Sequence, residues 1–130
     1  MNALDYEFQP DAPQPNQWLE FLNSLWADDQ QSIETLQEWF GYCLLPDTRH
    51  HKILLTLGPP RSGKGMIARA QRGLIGPKNV VGPALSSLAH PFGLQQLLGK
   101  SLAIISDARI GRTDTAPLLN AFCQSVAKMR

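Results

Sequence analysis

Little in this sequence points to a secreted, membrane-bound or broadly cationic protein. Cysteine is scarce: Cys43 and Cys123 are the two in 130 residues. They lie far apart with no metal-ligand spacing, and read as half-buried thiols of a reducing cytosol. Charge is sparse too, at 18% of residues with a formal net charge of +1. No global basic field therefore advertises nucleic-acid binding, and a DNA contact would have to be local or come from an assembled ring. No apolar run approaches the length of a membrane span. The N-terminus carries Asp5 and Glu7 where a signal peptide needs an apolar core. The chain is expected to be soluble and cytoplasmic, with no membrane partner, and its length suits one domain with a modest core.

What is present centres on residues 52–70, KILLTLGPPRSGKGMIARA. The apolar run Ile53 to Leu57, bounded by Lys52 and Gly58, predicts a buried parallel strand. A Gly/Pro turn follows, then Met66, Ile67 and Ala70 at helical spacing. Gly58, Gly63 and Lys64 give G-x-x-x-x-G-K, a phosphate-binding loop in which backbone N–H groups and a helix N-terminus face an anion. The residues assigned to it are Gly58, Pro59, Pro60, Arg61, Ser62, Gly63, Lys64, Gly65 and Met66. Lys64 is expected to reach the β- and γ-phosphates. The position after the lysine is normally Ser or Thr, whose hydroxyl ligates magnesium. Here it is Gly65, and Met66 after it offers only a thioether, no ligand for a hard cation. Triphosphate binding is thus better supported than efficient hydrolysis.

Before the loop, residues 1–15 hold three prolines and no periodicity, and read as an extended leading segment. A helical segment spans 16–48. Asn16 is the expected N-cap of a first helix with Trp18, Phe21, Leu22, Leu25 and Trp26 in one apolar stripe. Asp28 and Asp29 open a second, whose buried face is Ile33, Leu36, Phe40, Cys43 and Leu44, with Gly41 weakening its last turns. Pro46 ends it. The tryptophans fit a core better than a base-stacking platform. Arg49, His50, His51 and Lys52 form a small basic cluster, best read as solvated loop. The loop helix is expected to stop at Gly76-Pro77. Val80-Val81 makes a short strand, and helical turns follow near 84–89 and 94–98. Leu102 to Ile105 repeats the buried-strand pattern with Asp107 just past its carboxyl end, where an α/β sheet faces its ligand. Asp107 is the expected magnesium partner, direct or through water.

These blocks resemble a known group, the phage- and plasmid-encoded primase–helicases of the poxvirus type, whose ATPase domain belongs to helicase superfamily 3. The likeness runs from about Trp18 to Thr115. It is carried by W-L-E-F-L at 18–22, L-Q-E-W-F-G-Y at 36–42, G-P-P-R-S-G-K-G at 58–65, F-G-L at 92–94, L-L-G-K at 97–100 and I-I-S-D-A-R at 104–109. The resemblance implies an α/β chain: a helical N-terminal segment, then a partial AAA-like P-loop core with a parallel sheet over 49–115. It implies ATP and Mg²⁺ as cofactors, DNA as partner, and a hexameric homo-oligomeric ring that hydrolyses ATP to move along DNA. Lys64 would stabilise transferred charge, and Asp107 would serve magnesium or the attacking water, as the catalytic pair. The family usually has Thr where this chain has Met66.

The end departs from that pattern. Only 21 residues follow Arg109, too few for a further sensor-bearing strand, a last strand and an arginine element together. Neither Arg112 nor Arg130 is assigned the arginine role. Residues 116–130 read as a divergent tail. Leu118 to Arg130 can be written in codons that, entered at the last base of the first, spell A-E-R-F-L-S-I-S-G-E-D-A, a run of the type with which the family continues. The tail is therefore expected to be out of frame, or an amphipathic closing helix with Leu118, Leu119, Phe122 and Val126 on one face. Two competing functions remain. A small nucleotide kinase also uses G-K-G loops but would need an arginine-rich lid, and a non-catalytic fragment or interaction module would bind without turnover.

Overall fold

The computed structural model describes residues 3–47, 49–50, 52–88 and 90–106. His51, Asp107, Arg109, Arg112, Cys123, Arg130 and the whole 116–130 tail lie outside the described residues, with the expectations attached to them. The chain is mixed α/β. Helix α1 is Asn16–Leu25, α2 Gln30–Leu44, α3 Lys64–Ile75 and α4 Leu85–Leu88. Strand β1 is Val80–Val81 and β2 Leu102–Ala103, with single 3₁₀ turns at Pro77–Asn79 and Gln95–Leu97. No helix among the described residues is long and apolar enough to cross a membrane.

The core follows the helical stripes. Leu22 of α1, Ile33 and Leu36 of α2 and Ile67 of α3 form one buried cluster, with Trp18, Phe21, Leu25, Trp26, Phe40 and Leu54 packed around it. Trp18 stacks on Phe40 at 5.6 Å and tilts against Phe21 at 5.5 Å, so its ring serves packing between helices. Burial of these side chains, at roughly 1.5–3 kcal/mol each, fastens the α1–α2 hairpin to α3.

Three local expectations are corrected. Asn16 is the first helical residue and not the cap: Pro15 O already accepts from Leu19 N at 3.0 Å, so the proline holds the N-cap place without a side-chain bond. Leu44, in the last turn of α2, is 40% exposed and not part of the buried face. The largest correction concerns residues 53–57, which form no strand and belong to no sheet among the described residues. Leu54 reaches the core, whereas Ile53, Leu55 and Leu57 are 47%, 58% and 79% exposed. A strand is buried by its neighbours, and an apolar run carries no information about whether they are there.

The parallel sheet consists instead of β1 and β2, with Val80 opposite Leu102 and Val81 opposite Ala103. Ser101 N donates to Asn79 O at 2.8 Å and Ile104 N to Val81 O at 2.9 Å, extending the ladder at both ends. The expected stop at Gly76-Pro77 is observed: Gly76 has φ 90° and donates to Arg72 O. The leading segment is tied to this end of α3. Tyr6 Oη donates to Leu74 O at 2.6 Å, and Asn79 Nδ2 donates to both Ile75 O and Ala3 O. Two carbonyls that a helix C-terminus leaves without partners are thereby satisfied.

At the start of α2, Asp29 Oδ1 accepts from Ser32 N at 3.0 Å, and the Ser32 hydroxyl donates to the other carboxylate oxygen. These bonds favour the ionised form and hold the Asp29 pKa below its ordinary value. A depressed carboxylate pKa adds stability above the unfolded-state value, lost as pH falls below about 4. Acid titration followed by helical circular dichroism is expected to show a loss near that pH that is smaller in Asp29→Asn. Equal titrations would remove this cap from the acid response.

Candidate functional site

The turn from Gly58 to Gly63 is shaped by two residues on the left-handed side of φ: Arg61 at 62° and Gly63 at 84°. The first is costly for a residue with a Cβ, and such conformations persist where surrounding structure fixes them, often at ligand sites. Gly63 is the N-cap of α3 and its carbonyl accepts from Met66 N at 2.9 Å and Ile67 N at 3.1 Å. The amides of Lys64 and Gly65 precede these first helical donors, and no acidic side chain stands in the first turn. The positive end of the helix is thus not neutralised from within.

Gly63 is also where the turn meets the core. A Cβ built there would come within 3.1 Å of Phe21 Cζ and Leu25 Cδ1. Gly63→Ala combines that crowding with a positive φ, and is expected to cost about 1–3 kcal/mol in urea unfolding. A loss below about 0.5 kcal/mol, the scale of an ordinary surface change, would show that the turn is not pressed against α1.

Lys64 turns back over the loop. Its Nζ donates to Gly58 O and Pro59 O, each at 2.7 Å, and to Ser62 Oγ at 3.0 Å. All three ammonium donors are engaged by the turn itself, so an incoming anion exchanges with a carbonyl or the serine hydroxyl. Gly58 leaves room for this arrangement, since a Cβ there would lie 2.7 Å from Ser62 Oγ. Lys64 lines a cleft of about 550 Å³, within the range of small-molecule sites. One wall is the turn and residues 54–59; the other is the α1–α2 corner, with Trp26, Asp29, Ser32 and Thr35.

The predicted loop residues divide. Gly58, Pro59, Ser62 and Lys64 line this cleft together. Gly65 faces a second cavity of about 210 Å³, with Ala68, Arg69, Arg72 and the strand ends Val81, Gly82, Ile104 and Ser106. Met66 commits its amide to Gly63 O and leaves its thioether side chain 50% exposed. The chain beyond β2 reaches Ser106 beside Gly65, and Asp107, the next residue, lies outside the described residues. Cys43 is half-buried beside Gln71 Nε2 at 3.3 Å, and burial pushes its thiol up to about 11. It is a packing thiol and not a reactive one.

Sequence reasoning missed the second wall. Trp26 packs against the core and Asp29 caps α2, as their places in the helical pattern suggest, yet both also line the cleft. The D-x-x-S spacing signals a cap but not which side of it faces the loop. Among oxygen donors, Asp29, Ser32, Thr35 and Ser62 line the main cleft. Among the described residues no group of three or more His, Cys, Asp or Glu side chains could hold a metal ion. No family model matches the chain, and no curated protein or solved structure shows significant similarity to it.

Proposed function

We propose that this chain binds the polyphosphate of ATP, as its magnesium complex, through the loop from Gly58 to Met66. The observation that carries the reading is Lys64, whose ammonium sits over a glycine turn at the start of α3, where no side chain caps the helix, and which lines an open cleft. Phosphate oxygens would replace the loop carbonyls on the ammonium and receive the first-turn amides. Bound magnesium would neutralise phosphate charge. The protein's part is to position the phosphates, with Lys64 as the residue bearing on transferred charge and Asp107 as the candidate metal partner.

The wider reading rests on the sequence blocks that surround the loop. It is an AAA-like ATPase of the superfamily 3 primase–helicase kind, acting on DNA in phage or plasmid replication as a hexameric ring. Gly65 and Met66 supply no hydroxyl for magnesium, which favours binding over rapid turnover. Equilibrium binding of ATP, followed by turnover with and without single-stranded DNA, tests both levels. DNA-stimulated turnover supports the helicase reading, and binding without turnover supports a non-catalytic module. Phosphoryl transfer to a nucleoside monophosphate would favour a small kinase. Absence of ATP binding would sink the proposal.

A further inference from the structure

The main cleft carries opposite charge on its two walls. Lys64, the first residue of α3, lies on the loop side, and Asp29 lies on the α1–α2 side. An all-anionic ligand such as free polyphosphate suits only the first. A nucleotide suits both, because its phosphates are anionic and its ribose hydroxyls are donors.

The corner is built to hold position. Trp26 N donates to Leu22 O at 3.0 Å, and Asp29 N donates to Trp26 O at 3.1 Å, closing a tight turn between the helices. The Asp29 carboxylate is oriented by Ser32, which uses one acceptor site on each oxygen. A carboxylate offers about four such sites, so capacity remains for two further donors. Near it in sequence, Trp26 is partly buried against the core and also lines the cleft.

Resting on the phosphate-binding reading above, we propose that the α1–α2 corner is the nucleoside subsite of the same cleft. Asp29 accepts the ribose hydroxyls and Trp26 provides a stacking surface for the base. A carboxylate on a ribose diol is a recurrent solution in nucleotide sites, and stacking on an aromatic ring favours any base. The ligand class is therefore a ribonucleoside polyphosphate, with selection for the sugar stronger than for the base.

The test titrates the full chain with three probes: ATP, 2′,3′-dideoxy-ATP and inorganic tripolyphosphate. The wild type is expected to bind ATP about tenfold more tightly than the dideoxy analogue, as loss of hydrogen bonds to a charged acceptor predicts. Asp29→Asn, which keeps an N-cap side chain, is expected to erase that preference and leave tripolyphosphate affinity unchanged or slightly raised. Trp26→Phe is expected to weaken ATP and dideoxy-ATP alike, several-fold, without affecting tripolyphosphate. If the wild type binds neither ATP nor tripolyphosphate, the phosphate-loop reading fails and this subsite with it. If it binds both equally, or if Asp29→Asn keeps the ribose preference, the subsite is refuted and the phosphate loop stands.

Discussion

Lys64→Ala is expected to lower ATP affinity about a hundredfold, equivalent to roughly 2.7 kcal/mol, while leaving the fold intact. The size follows from removing a charged donor that can meet more than one phosphate oxygen. The tolerance follows from what the side chain does otherwise. Its three partners are two loop carbonyls and a serine hydroxyl of the same turn, which water can satisfy once the ammonium is gone. Titration calorimetry with Mg-ATP measures the first effect and urea unfolding the second. Wild-type affinity in the variant would remove the phosphate-loop reading. A Lys64→Arg variant adds a check, since its planar fork retains the charge but not the compact fit over the turn.

Leu22→Ala is expected to cost about 3–4 kcal/mol, a large part of the stability of a domain this size. Leu22 is 0% exposed and lies where α1 meets Ile33, Leu36 and Ile67. Its loss opens a cavity among three helices, and partial collapse sets where in the range the value falls. Chemical unfolding by urea, with the midpoint compared at constant slope, reads the change. A loss under about 1 kcal/mol would mean that α1 is not docked as described, since buried Leu→Ala changes otherwise exceed 2 kcal/mol.

Helices were the legible part of this chain, because helical periodicity is local. The stripe Trp18–Phe21–Leu22–Leu25 and the helix start at Asp29 could be read from neighbours within four residues, and so could the stop at Gly76. The run 53–57 could not, since its burial depends on strands far away in sequence. The site split the same way. The glycine spacing located the turn at the start of α3, while the opposing wall from Trp26 to Thr35 exists only through tertiary docking of the hairpin. The Lys64 bonds to Gly58 and Pro59 were equally beyond reach, as a motif gives residue order but not where an ammonium rests in the free protein.

Phe21 and Leu25 leave little room for a side chain at Gly63, which has an effect at a distance from both. If the turn holds nucleotide as proposed, its curvature depends on that hydrophobic seam. Warming or mutation that softens the seam would let the turn relax, and nucleotide would be released before the chain melts. A screen for weakened binding would then recover α1 positions that never touch nucleotide, and stiffer packing at those positions would tighten the grip without any new ligand contact.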